Sequence, residues 1–424
     1  MSTVNRRAFL CGFVLAVAAA AIGLADTVVR FGDKGLEAAV RDALFMPSGT
    51  IHDFDLQWLT VLDASDRQID DLSGLEYAVG LATLDITGNQ VDDLSPLREL
   101  EPMSILRAGG NEIDSLIPIR HLVRLKELLL DGNEIEDISP LAAIEGLEVL
   151  HLLDNPVEDL GVLRSLVRLR ELKIRCESGC DLTPIHALTR IEILEVDSAS
   201  ALDLTAVGRM PDLRVLHLAS TEIADFSPLR WLPNLREIKL TGVEVADLVE
   251  VVDVQPNLEV LGLESLSVDS FAGLVELKGL RELRLVDVGF SELGLLVVLP
   301  SLRSLDVSRN ELSDLGLVSA LGELTELRAV DNGIEILWPI AALRRLEVLD
   351  LTGNPITDLE PLLALYDLRE IHLRGTEITD VSELLSLPDL EYVDLRETDL
   401  NLSVGSSAYA TIALLRARGV RVDL

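Results

Sequence analysis

The sequence predicts an α/β solenoid: a curved parallel β-sheet on the concave side, short turns or 3₁₀ segments on the convex side, and a helical cap at each end. Three observations carry this expectation. A leucine-x-leucine pattern recurs every 22 residues through most of the 424-residue chain. Hydrophobic residues make up 48% of the sequence and aromatic residues only 4%, which suits similar stacked layers better than an irregular core. A unit of that length cannot bury its own apolar face, so the units must stack.

Residues 1–25 read as an export signal. Arg6 and Arg7 supply the positive segment, Ala8 to Leu24 are apolar, and Gly23-Leu24-Ala25 offers small residues for cleavage. Arg6-Arg7-Ala8-Phe9-Leu10 is similar to the twin-arginine export motif, but Asn5 and Cys11 depart from its usual flanks. That route and the general secretory one therefore both stand. An uncleaved membrane anchor is the competing reading, for which the apolar run is slightly short. The expected location is the periplasm, the cell surface or the medium.

Residues 27–60 form a segment ahead of the repeats. Asp33 is placed to cap a helix with Leu36, Val40 and Leu44 on one face, and Asp53-Phe54-Asp55-Leu56-Gln57-Trp58-Leu59 follows.

Sixteen units fill residues 61–402. Their reference positions are Leu62, Leu84, Leu106, Leu128, Leu150, Leu172, Leu194, Leu216, Ile238, Leu261, Leu283, Leu305, Leu327, Leu349, Ile371 and Val393. One step, from Ile238 to Leu261, is 23 residues long. Alternation about each reference residue gives a short strand with one buried face. An Asn such as Asn133 then stands where the chain turns inward, with an amide able to satisfy buried turn backbone. The motif Leu84-x-Ile86-x-x-Asn89-x-Val91-x-Asp93-Leu94-Ser95-Pro96-Leu97 resembles the internalin-like, 22-residue bacterial class of leucine-rich repeats. Residues 27–60 resemble the N-terminal cap that accompanies them. The resemblance implies recognition on the concave face and names no partner.

The middle of the chain departs from this pattern. Asn occupies the turn at 89, 111, 133 and 155 and again at 310, 332 and 354, but Glu177, Ala199, Thr221, Val243, Leu266 and Val288 stand between. Either these turns have drifted and water satisfies them, or the local path differs. Residues 403–424 form the last element: Tyr409 to Arg418 reads as a helix ended by Gly419, with Val420 and Val422 closing the exposed sheet edge.

Composition excludes several functions. The net charge is −36, and removing Arg6 and Arg7 with the signal makes it more negative still. Such a field repels nucleic acid and anionic membrane surfaces. No metal-protease helix, phosphate-binding glycine loop or nucleophile elbow is present. His151 and His217 stand three repeats apart, roughly 14 Å at the spacing of parallel strands, and cannot share a metal. No enzyme activity and no cofactor are expected. Cys176 and Cys180, four residues apart in an exported chain, read as a disulfide across one irregular turn.

The residue between the paired leucines points out of the sheet's inner face. That row is acidic at both ends and mostly basic in the middle, where Arg107, His151, Lys173, His217, Lys239 and Arg284 form the candidate ligand-binding stripe. Arg170, Arg214, Arg236, Arg281 and Arg303 can broaden it. The competing reading is internal pairing with Glu127, Glu171, Glu237 and Glu282. The expected partner is a protein or glycan, acidic in character; the alternative is a cell-envelope spacer without a specific ligand. Oligomeric state is not legible.

Overall fold

The computed structural model describes residues 27–176, 181–243 and 245–424. The export signal, Glu177 and Cys180 lie outside the described residues. Two compact units are present, Met1–Leu213 and Arg214–Leu424. Each is taken in turn.

The first unit opens with a helix at Lys34–Leu44. Asp33 caps it by accepting the Leu36 amide at 2.9 Å, and Phe45 ends it in the left-handed region at φ 56°. Leu36 and Val40 are buried and Leu44 half-buried, giving the expected apolar face. A single turn at Asp53–Leu56 follows, with the amide of the preceding His52 donating to the Asp55 carboxylate. Seven parallel strands then stack in register. Leu62 pairs with Leu84, Leu84 with Leu106, and so on through Leu172 with Leu194.

The second unit continues the same grammar, from Leu216 beside Ile238 to Ile371 beside Val393. It closes with a helix at Ser407–Ala417, capped by Ser406, and a strand at Arg421–Asp423. Val422 pairs with Val393, so the last repeat leaves no unpaired edge on that side. Every reference residue in both units is essentially inaccessible. Burying each such side chain stabilises by about 2 kcal/mol relative to exposure.

The turns explain the Asn pattern. Asn89 accepts from the amides of Arg67 and Ile69 at 3.0 and 2.9 Å, and donates to the carbonyls of Ala64 and Ile86 at 2.9 and 2.8 Å. It ties one repeat to the one before it. Asn310 does the same in the second unit, accepting from Val288 and Phe290. Repeats that carry Asn have short strands, such as Glu127–Leu129 and Glu326–Arg328, of three residues each. The central repeats that lack it have longer ones: Glu171–Cys176 and Ile193–Ser198 run six residues, and Glu237–Thr241 and Val260–Glu264 run five. Of the two readings, the local path differs. The inward turn is delayed, and ladder bonds pair backbone that the Asn would have met.

The 23-residue unit keeps its strand register because the extra residue is taken up on the opposite side. There a true α-turn at Val249–Val252 replaces the 3₁₀ turn of other repeats, and Val252 and Asp253 bond four residues back. An α-turn uses more residues for the same advance than a 3₁₀ turn. Buried Gln255 then donates to the carbonyls of Leu229 and Leu232 in the preceding repeat.

On the side away from the sheet, the recurring acids cap the 3₁₀ turns. Asp93 accepts the Ser95 amide, Asp137 that of Ser139, Asp225 that of Ser227 and Asp358 that of Glu360, each at 2.8 Å. Pro at the start of many of these turns costs no bond, since that amide has no partner in the turn.

Candidate functional site

Alternation along each strand sends one side chain per repeat out of the sheet, next to its counterparts on the neighbouring strands. Each of the six predicted residues occupies this position on a strand of its own unit, Arg107, His151 and Lys173 in the first and His217, Lys239 and Arg284 in the second. In the first unit Arg107 aligns with Leu129, and His151 with Lys173. In the second, His217 aligns with Lys239, and Gly262 lies between Lys239 and Arg284.

Each of the six has an acid beside it. Arg107 donates from Nε to Glu127 at 2.9 Å, and His151 lies 2.9 Å from Glu171 and 3.6 Å from Asp131. Lys173 stands 3.4 Å from Glu195. Glu237 serves two cations, His217 at 2.9 Å and Lys239 at 2.9 Å. Arg107, His151 and His217 follow one rule: each meets the Glu at the first position of the next strand, across the diagonal of the ladder. With the hydrogen bond from His217 as its main cause, and Lys239 adding to it, the Glu237 carboxyl is lowered to about 2. The pairing partners Glu127, Glu171 and Glu237 named from sequence are therefore in place.

A second charge row runs along the strand entrances. Lys126 meets Glu148 at 2.9 Å and Arg170 meets Glu192 at 2.5 Å in the first unit. In the second, Glu259 lies between Arg236 and Arg281 at 3.7 and 3.5 Å. Exposed pairs of this kind are worth about 0–1 kcal/mol each. They lower the local field without sealing the face.

Arg284 differs from the other five. Its guanidinium stands 3.3 Å from Glu264 and 3.8 Å from Asp306 and makes no hydrogen bond to either. Its Nε is buried with no hydrogen-bond partner. Sequence reasoning included Arg284 but had no way to separate it from Arg107, because both read as a cation between leucines.

Cys176 is buried at the end of its strand, while Cys180 lies outside the described residues. Among the described residues, no group of three or more His, Cys, Asp or Glu side chains converges as a metal site. Among them also, no helix is long and apolar enough to cross a membrane.

The family model for the leucine-rich repeat matches residues 298–319 and 343–359. Among solved structures, a leucine-rich-repeat protein of Leptospira interrogans is similar at 25% identity, over 86% of this chain and 96% of its own, with a TM-score of 0.60. The chain is a leucine-rich-repeat protein. Its 22-residue spacing and Asn-bearing turns make the repeats internalin-like. An internalin of Listeria monocytogenes shares 25% identity over 86% of this chain and 95% of its own, with a TM-score of 0.48. The repeat ectodomain of a plant receptor kinase from Arabidopsis thaliana, solved in complex with Casparian strip integrity factor 2, shares 18% over 77% of this chain and 46% of its own, with a TM-score of 0.47. No curated protein matches the sequence.

Proposed function

We propose that this leucine-rich-repeat chain is an exported, non-catalytic recognition module that holds a protein ligand on the open strand face. One observation carries the reading. Within each unit, apart from Leu129 and Gly262, the outward positions between paired leucines are charged or histidine side chains, held in register on neighbouring strands. Such a row presents fixed donors and acceptors whose ordering cost is already met by folding. The repeat fold itself commonly mediates protein binding. Arg107, His151, Lys173, His217, Lys239 and Arg284 are the residues assigned to contact.

The pairing geometry favours a second reading, a cell-envelope spacer whose face charges satisfy one another. A pull-down from envelope extract with the mature chain separates the two. It is run beside a triple variant, Arg107→Gln, Lys173→Gln and Lys239→Gln. Glutamine is chosen over glutamate because Glu127, Glu195 and Glu237 stand beside these positions, and reversal would add like-charge repulsion. A partner captured by the wild type and lost by a folded triple variant supports recognition. Absence of any partner supports the spacer.

A further inference from the structure

We propose that Arg168, Arg190 and Asp212 form a site for a phosphate monoester with a nearby primary amine, as in phosphoethanolamine. The site belongs to the first unit, lies on the turns that lead into the strands, and goes beyond the strand-face reading.

Three observations converge. Arg168 and Arg190 stand four residues before Leu172 and Leu194, which pair on neighbouring strands. Asp212 holds the same position one repeat on. Repetition therefore sets two cations and an acid in one row, at steps of roughly 5 Å. These three line an open groove of about 740 Å³, with Val167, Arg170 and Thr189 on its walls. Arg168, Thr189, Arg190 and Asp212 are all exposed, so a ligand reaches their polar ends directly.

The groove's other charges are already engaged. Lys126 meets Glu148 at 2.9 Å and Arg170 meets Glu192 at 2.5 Å. Arg168 acts on Glu148 only at longer range. Among the described residues, the side chains of Arg168, Arg190 and Asp212 make no hydrogen bond and no ion pair.

Two guanidinium groups side by side repel each other, and an anion between them relieves that repulsion. A phosphate monoester matches the pair. It carries close to two negative charges at neutral pH and three strong acceptor oxygens, enough to meet both planar forks. A carboxylate, with one charge and two oxygens, fills a single fork. The amine follows from Asp212. A bare phosphate would face that carboxylate across one step of the row, whereas a ligand ammonium beside the phosphate turns the repulsion into attraction. A polyanion would meet the same acid and, beyond it, a chain with 72 acids against 36 bases.

The test is calorimetric titration of the full mature chain in low salt at about pH 7.5, where the monoester is a dianion. The probes are O-phosphoethanolamine, ethyl phosphate, which lacks the amine, and glycerophosphoethanolamine, a diester that stands for a lipid headgroup. O-phosphoethanolamine should bind saturably, ethyl phosphate roughly threefold more weakly, and the diester more weakly still. Arg168→Gln with Arg190→Gln should weaken O-phosphoethanolamine about tenfold or more. Asp212→Asn should bring O-phosphoethanolamine down to the level of ethyl phosphate without weakening ethyl phosphate itself. Arg345→Gln, which removes an exposed cation paired with Glu323 in the second unit, should change nothing. No saturable binding, or equal binding by the folded double arginine variant, overturns the site. Equal affinity for ethyl phosphate in the wild type overturns the role of Asp212, and tighter binding of the diester overturns the monoester assignment. None of these probes or variants touches the strand face, so this site and the recognition reading stand or fall separately.

Discussion

The carboxamide oxygen of Asn89 accepts the amide of Ile69 at 2.9 Å, twenty residues back in the chain and one repeat back in the stack. The same bond recurs from Asn332 to Leu312 at 2.9 Å, and Asn332 also accepts the Asn310 amide at 3.1 Å. Its Nδ2 donates to the carbonyls of Val307 and Val330. Asn332→Ala should therefore leave several buried backbone groups unpaired and destabilise by about 3 kcal/mol. Ala199→Asn, in a repeat whose strand already runs on to Ser198, should change stability by less than about 0.5 kcal/mol. Urea denaturation of both variants checks the contrast, and equal effects would contradict it.

The pair of His217 and Glu237 predicts an acid dependence. Glu237 in the folded chain is lowered from its ordinary 4.5 to about 2. A carboxylate with a depressed folded value contributes stability above its unfolded value and loses it as pH falls toward the folded one. Wild type should therefore lose stability more steeply than Glu237→Gln between about pH 5 and pH 2. Parallel curves from denaturant melts across that window would count against the pair.

Near the C-terminus, Arg396 grips the nearly inaccessible carboxylate of Asp394 with Nε at 2.8 Å and Nη2 at 2.6 Å. Arg396→Ala strands that charge and should cost about 2 kcal/mol, while Arg396→Lys recovers less than half because the two-pronged contact is lost. Chemical denaturation of the two variants measures this. Full recovery by lysine would show that charge alone matters.

Cys176 and Cys180 are expected to be linked in exported protein. Mass spectrometry without reduction should find the joined peptides. A loop this short should raise stability only modestly when closed. Two free thiols after export would refute the pairing.

The capping acids on the side away from the sheet recur at one position in successive repeats. Like charges roughly 5 Å apart repel by about 0.8 kcal/mol even at the dielectric of water. Raising salt shortens the screening length from about 30 Å at 0.01 M to about 3 Å at 1 M. The melting temperature should rise markedly between those concentrations. A flat response would show that local capping, as of Ser139 by Asp137, outweighs neighbour repulsion.

Repetition made most of this molecule legible from sequence. A side chain seen once in a repeat is seen again beside itself, so the pairing of Leu84 with Leu106 followed from counting residues. Local chemistry was legible for the same reason: Asp33 and Ser406 cap helices through atoms three residues away. The sequence by itself determined the period, the reference strands, both end helices and the row of outward side chains. Tertiary structure decided what depends on distances between rows. Loss of Asn could not say whether a turn breaks or a strand lengthens, because both satisfy the same backbone, and only the neighbouring strand selects between them. Arg107 and Arg284 carry the same group in the same pattern, yet the Nε of one is hydrogen-bonded to Glu127 and the buried Nε of the other has no hydrogen-bond partner. Hydrogen bonding falls off within fractions of an ångström, a scale that a periodic pattern of residue types does not encode.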